Sequence, residues 1–321
     1  MKAIVQDQYG PADVLRLEDI KEPIAGADEV LVRVLAASAF IGDWHIATGL
    51  PYAIRAVSGL RAPKNRVRGQ DFAGRVEAVG EHVTRFQPGD GVFGTCHGAF
   101  AEYATAQEDK IAPKPANLTF EQAATVPSTG TTALQGLRNV GKIQPEQKVL
   151  IIGAAGGVGS FAVQIAKAFG AHVTGVCSTT KVDLVRSIGA DEVVDYMRED
   201  FAEAGQTYDV ILDTAGNRPV SHLRRALASR GTLVIGGGEG GGRWFGVGRQ
   251  VRASMLSPLV SQKLGTFIAK QNHEDLLVLK ELIEADKITP VVGSTHPLSE
   301  VPDVIRQLGE GHGRGKVVIE I

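Results

Sequence analysis

The spacing of apolar and polar positions changes character once along the chain. Up to about residue 118, short apolar runs at 2–5, 30–35, 74–79 and 101–104 are divided by Gly, Pro and Asp, the pattern of strands in a compact β-rich domain. Pro88-Gly89-Asp90-Gly91 is a turn between two such runs, its glycines serving the backbone rather than a ligand. From about 120 to 290, buried strands alternate with helical segments. Strands are predicted at 149–152, 172–176, 192–194, 210–212 and 233–235, with another near 265–269 and a helix at 275–285. That alternation predicts an α/β fold, a doubly wound parallel sheet with helices on both faces, over 119–290. The tail, 316–321, reads as a strand able to return to the first domain, 1–118. The glycine-rich run 236–248 reads as a loop near the carboxyl edge of the sheet.

The densest signal lies at 148–159, Lys-Val-Leu-Ile-Ile-Gly-Ala-Ala-Gly-Gly-Val-Gly: a buried strand, a glycine turn and a helix start. Ala154 occupies the place of the first glycine in the usual G-x-G-x-x-G pattern, so the context carries the inference. Phe161, Ile165 and Phe169 follow at helical spacing, flanked by Ala162 and Ala166. The helix stops at Gly170, and 172–176 supplies the next strand. In such a βαβ unit Gly156 lets the backbone approach a pyrophosphate, Gly159 lets helix pack on strand, and the helix N-terminus offers N–H groups to phosphate. The expected ligand is a dinucleotide bound by Ala154, Ala155, Gly156, Gly157, Val158 and Gly159.

Composition removes other classes. At 321 residues the chain suits two domains, and a formal charge of −2 gives no overall reason to expect nucleic acid or an acidic membrane. The N-terminus lacks an apolar core of signal-peptide length, no apolar run suffices to span a bilayer, and the cytoplasm is the default compartment. Cys96 and Cys177 are the only cysteines, which excludes a disulfide framework and a cysteine-rich zinc lobe.

Counting about 20 residues beyond the glycine turn leads to Ser178, where NAD-binding folds carry an acid for the adenosine ribose. Here the strand ends in Cys177-Ser178-Thr179-Thr180-Lys181. A hydroxyl from Ser178 and charge from Lys181 suit a 2′-phosphate, so NADPH is expected over NADH. The competing reading is that Ser178 and Thr180 cap the next helix while Lys181 is solvated. Asp183, the nearest carboxylate, falls within that helix. Other strand ends bring Tyr196, Thr214, Ala215, Gly216 and Gly236 toward the same crevice. Gly216 and Gly236 equally suit plain turns, and Tyr196 plain packing.

The ordered motifs Ala36-Ala37-Ser38 with Asp43-Trp44, Gly69-Gln70-Asp71-Phe72-Ala73-Gly74, Phe86-Gln87-Pro88-Gly89-Asp90, Val126-Pro127, Gly130-Thr131-Thr132-Ala133, Gly189-Ala190-Asp191 and Gly315-Lys316-Val317-Val318 span nearly the whole chain. With the glycine turn, they resemble the medium-chain dehydrogenase/reductase superfamily, in its zinc-independent quinone oxidoreductase and alkenal/enone reductase branch. The resemblance implies a GroES-like β domain completed by the C-terminal segment 291–321, a Rossmann domain, a cleft between them and a homodimer formed through sheet edges. The superfamily's zinc alcohol dehydrogenases place metal ligands where this chain has Phe40, Gln70 and Ser128, so no zinc is expected. By the same resemblance, Thr131 contacts nicotinamide or phosphate, Phe267 offers backbone bonds to the carboxamide, and Lys316 reaches the cofactor. Phe267 as a buried strand aromatic and Lys316 as an exposed residue remain the alternatives.

Phe40, Asp43 and Gln70 are the cleft candidates, with Phe40 an aromatic wall and Asp43 fixing its loop; no catalytic acid is assigned. Without metal, a simple alcohol lacks help in losing its proton, whereas quinones and α,β-unsaturated carbonyls delocalise incoming charge themselves. The expected activity is NADPH-dependent hydride transfer to a small-molecule quinone, enone or alkenal. Two other readings stay open: an NADPH-binding regulatory or assembly protein with little catalysis, and an alcohol/aldehyde dehydrogenase-type reductase.

Overall fold

The computed structural model describes residues 1–203, 205–236, 248–311 and 315–321. The chain forms two units, one of Met1–Ser128, Gln271–Ala285 and Pro290–Ile321, the other of Thr129–Lys270 and Asp286–Thr289. In the first, β1 (Lys2–Val5) pairs antiparallel with β2 (Arg16–Asp19). β3 (Glu29–Ala39), β4 (Asp71–Val79), β5 (Gly91–Thr95), β6 (Tyr103–Gln107) and β7 (Ile111–Pro113) enter a larger sheet. β8 (Lys148–Ile152), β9 (His172–Cys177), β10 (Glu192–Asp195), β11 (Tyr208–Asp213), β12 (Leu227–Ile235) and β13 (Lys263–Thr266) belong to the second unit. β14 (Val292–Pro297) and β15 (Lys316–Glu320) return to the first.

The first unit's large sheet runs β14-β15-β3-β4-β5-β7, with β6 also on β3. Along β3, Val30, Val32 and Val34 alternate inward, as a strand period requires, before Ala36, Ala37 and Ala39 tighten its end. These valines pack with Phe72, Val92, Phe100, Ile111, Val301, Ile305 and Ile319 in one core. Each large apolar side chain buried there contributes about 1.5–3 kcal/mol. β15 pairs antiparallel with β3 from Val317 opposite Ala39 to Glu320 opposite Ala36, so the expected return of the tail is present.

Three expectations shift. The strand read at 101–104 begins at Tyr103, because Tyr103 to Gln107 face Arg33 to Glu29 of β3, while Ala101 bridges Ala3. The strand read at 265–269 is Lys263–Thr266, ending opposite Ile235, where its neighbour β12 also ends. The helix read at 275–285 within the second domain is His273–Glu284 and belongs to the first unit. There the His273 ring bonds the Ile111 carbonyl at 2.6 Å, Asn117 donates to the Ile283 carbonyl at 2.8 Å, and the Ala116 N–H donates to Glu284 at 2.8 Å. Its apolar stripe Leu276, Leu279 and Ile283 is buried.

The second unit's sheet has the order β10-β9-β8-β11-β12-β13, with every adjacent pair parallel. This is the doubly wound α/β arrangement expected. Most of the glycine-rich run at 236–248 lies outside the described residues. No helix among those described is long and apolar enough to cross a membrane.

Candidate functional site: a dinucleotide cradle and a buried charge centre

In the second unit, β8 and β11 are neighbours from which the strand order proceeds in opposite directions, the switch point beyond whose carboxyl ends sheets of this kind bind ligands. The chain leaves β8 through Gly153, whose φ of 82° is left-handed. The tight-turn glycine is thus one residue earlier than the usual pattern, which is why Ala154 is tolerated. A Cβ on Gly159 would lie 2.0 Å from the Gly153 carbonyl oxygen, so only glycine allows the helix Gly157–Ala168 to start this close to β8. That helix buries Phe161, Ala162, Ile165 and Ala166, and its N-cap, Gly156, brings no capping side chain. Its first N–H groups are those an anion would satisfy.

The opposite lip is equally built. Thr214 donates from Oγ1 to the Ile152 carbonyl at 2.7 Å, and the Asp213 carboxylate accepts the Ala215 and Gly216 N–H groups at 3.2 and 3.1 Å. Gly236 donates its N–H to the Asp213 carbonyl at 2.9 Å. Phe267 sits just past β13 and is half-buried, rather than within a strand. Thr131, in the helix Pro127–Gln135, is fully buried, and among the described residues its Oγ1 has no hydrogen-bond partner. An orphaned buried hydroxyl carries a free-energy cost that a ligand atom can relieve.

Ser178 closes β9 and precedes a single turn, Thr179–Lys181; its side chain makes no capping bond. Asp183 lies in the following helix, Val182–Ser187, with its side chain in solvent. Tyr196 follows β10, exposed, its N–H bonded to the Cys177 carbonyl at 3.1 Å. Sequence reasoning missed Asp195, whose carboxylate accepts from Thr179 Oγ1 at 2.6 Å and from the Met197 N–H at 3.0 Å. Those bonds, the Thr179 hydroxyl foremost, hold its carboxyl below the usual range. Its signal was its place at a strand's carboxyl end. The sheet's edge therefore gathers the glycine turn, Ser178, Lys181, Tyr196, Thr214, Ala215, Gly216, Gly236 and Phe267.

Lys316, expected by resemblance to reach the cofactor, is a buried residue of the first unit and not the exposed one of the alternative reading. It opens β15 in the first unit, 2% exposed, with Nζ 3.6 Å from Asp71 and 5.1 Å above the Phe40 ring. Asp71 is fully buried and accepts the N–H and hydroxyl of Ser128. Beside them, Asp43 accepts the Phe40 N–H at 3.0 Å, fixing the start of the helix Ile41–Thr48, and meets Gln70 Nε2 at 3.5 Å. Phe40, Asp43, Gln70, Asp71, Ser128 and Lys316 thus form one network, with Arg68 also nearly buried. Burial pushes Asp71 up and Lys316 down, each restrained by the other's charge. Burial likewise pushes Asp43 up to about 7, against the Phe40 N–H that favours its charged form.

Known proteins share this architecture. Residues 26–116 match the alcohol dehydrogenase GroES-like domain and 188–319 a zinc-binding dehydrogenase family. A chloroplastic NADPH-dependent alkenal/one oxidoreductase of Arabidopsis thaliana is 33% identical over 99% of this chain and 79% of its own length. A chloroplastic quinone-oxidoreductase of Triphysaria versicolor is 32% identical over 100% of this chain and 98% of its own. The Escherichia coli quinone oxidoreductase solved with NADPH superimposes with a TM-score of 0.86 at 26% identity, each chain covered fully. With the doubly wound sheet and the GroES-like unit both in place, the chain belongs to the medium-chain dehydrogenase/reductase family, in its quinone oxidoreductase-like branch.

Proposed function

We propose that this protein is an NADPH-dependent oxidoreductase that delivers hydride to a quinone or an α,β-unsaturated carbonyl without a metal ion. The observation that carries the reading is the cradle at the β8–β11 switch point, where an uncapped helix N-terminus and the close approach allowed by Gly159 fit a dinucleotide. The names of the quinone oxidoreductase and alkenal/one oxidoreductase relatives support the acceptor class. Bound NADPH would supply the hydride; the chain's part is to hold its pyrophosphate on the helix Gly157–Ala168 and its adenosine beside Ser178 and Lys181.

The zinc implied by the matched family's description does not suit the residues present. Phe40, Gln70 and Ser128 offer a phenyl ring, a carboxamide and a hydroxyl, whereas zinc takes thiolate, imidazole or carboxylate. The adjacent Asp71 is engaged by Lys316 and Ser128, and Asp43 by the Phe40 N–H. Purified protein incubated with NADPH and a chelator is expected to consume reduced nicotinamide when quinones or enals are added. Tight NADPH binding with no oxidation by any acceptor would overturn the reading.

Cofactor preference rests on Ser178 and Lys181. Lys181→Ala removes one charge-assisted contact worth about 1.5–3 kcal/mol, so NADPH binding should weaken roughly tenfold or more while NADH binding changes little. Equal losses in titration calorimetry would remove the 2′-phosphate assignment. A homodimer is supported by β13, an edge strand, and by the exposed Val251, Met255, Leu259 and Ile268 on and beside the helix packed against it. Light scattering is expected to give twice the chain mass; a monomer at micromolar concentration would count against it.

A further inference from the structure

The segment between Asp43 and Asp71 has a charge pattern unlike the rest of the chain. From 44 to 70 there is no Asp or Glu, against Arg55, Arg61, Lys64, Arg66 and Arg68, although the whole protein carries −2. Within it the structure builds a projecting loop. The Lys64 N–H donates to the Ser58 carbonyl at 2.8 Å, closing the base and leaving 60–63 as the tip. Leu60 at the tip is 77% exposed and Val57 at the base 74%, with Tyr52 beside them 38% exposed.

This loop is held in shape from behind. Tyr9 Oη bonds the Ser58 hydroxyl at 2.8 Å and the Gly59 carbonyl at 2.6 Å. The Arg55 guanidinium lies 4.5 Å from the Tyr9 ring and 4.8 Å from the Tyr52 ring, with Nε donating to the Gly49 carbonyl at 3.0 Å. A pre-ordered tip keeps its apolar side chains in water without an ordering cost left for binding. Asp7 and Glu18, the carboxylates that meet this segment at Arg66, are bound by Arg16 and Arg66, while Arg61 and Lys64 are exposed and enter no ion pair among the described residues.

We propose that this loop docks the protein on an anionic lipid bilayer, with Leu60 and Val57 entering the interfacial region and Arg61 and Lys64 seated among the headgroups. Charge complementarity and the shape of the patch select this occupant. A stable protein partner needs about 1,000 Å² of matched surface, which a narrow tip does not present. Weak, reversible interfacial binding needs only a few apolar side chains and cations together. Docking places the enzyme where lipophilic acceptors partition, and to that extent rests on the proposed activity. The docking itself does not.

The test is co-sedimentation of the full-length protein with vesicles of phosphatidylcholine alone or mixed with phosphatidylglycerol. Binding is expected on the anionic vesicles at low salt and is expected to fall about tenfold at high salt. Val57→Asp/Leu60→Asp and Arg61→Glu/Lys64→Glu should each lower partitioning about tenfold, with thermal unfolding and turnover of a water-soluble acceptor unchanged. No enrichment on anionic vesicles, or enrichment that neither pair alters, overturns the docking; so does capture of an acidic protein through the loop in place of vesicles. Vesicle binding by a protein that turns over no acceptor keeps the docking and removes the activity.

Discussion

Lys316→Met lowers the stability of the protein by about 3–5 kcal/mol, the usual cost of removing one partner from a buried ion pair. The methionine nearly matches lysine in volume, so the effect isolates charge. Asp71 has no exposed surface, and without the ammonium 3.6 Å away it keeps, among the described residues, the N–H and hydroxyl of Ser128 as its donors. It must then either remain ionised in a low-dielectric interior or take up a proton. The loss should therefore shrink as the pH is lowered and Asp71 is neutralised. Lys316→Met/Asp71→Asn should recover most of the stability, because asparagine still accepts from Ser128 and no charge is stranded. Urea denaturation of the four proteins of this cycle measures the coupling. A single-variant loss below about 1 kcal/mol, with no recovery in the double variant, would show that no buried ion pair is present.

That centre also marks where sequence reading ended. The glycine turn, the strands around it and the ends holding Ser178, Tyr196 and Thr214 are local in sequence, so their pattern displays them directly. Even the displaced turn glycine, Gly153, lay within the motif. Lys316 was different: the resemblance implied that it reaches the cofactor from the closing strand, and its burial follows from β15 pairing with β3, a juxtaposition no local pattern encodes. The same long-range packing moved the helix His273–Glu284 into the first unit, although its amphipathic stripe was plain. The overall charge of −2 also concealed a segment without acids, because a sum over the chain averages away a local surplus. Asp43 was read as a residue that fixes its loop. The Phe40 N–H bond agrees, yet the depth of its burial, which governs its proton, was not readable from sequence.

Burial gives Asp43 a second consequence, a fall in stability as the solution becomes more basic. Its pKa of about 7 in the folded protein stands above the ordinary aspartate value of 3.8, so the folded protein binds a proton more firmly than the unfolded chain between those limits. The contribution is fully present below about pH 4, declines as pH rises, and is lost above about pH 7. Its total is on the order of 4 kcal/mol, since each pH unit between the two values contributes about 1.36 kcal/mol. Asp43→Asn retains an acceptor for the Phe40 N–H and cannot ionise, so this slope disappears. Asp71, Lys316 and Arg68 supply the charges acting on Asp43, and all are retained in the variant. Relative to the wild type, Asp43→Asn should therefore gain stability from about pH 4 to about pH 7, by a few kcal/mol, and hold that gain at higher pH. Parallel stability curves across that range would show that Asp43 ionises as readily folded as unfolded and would overturn this assignment.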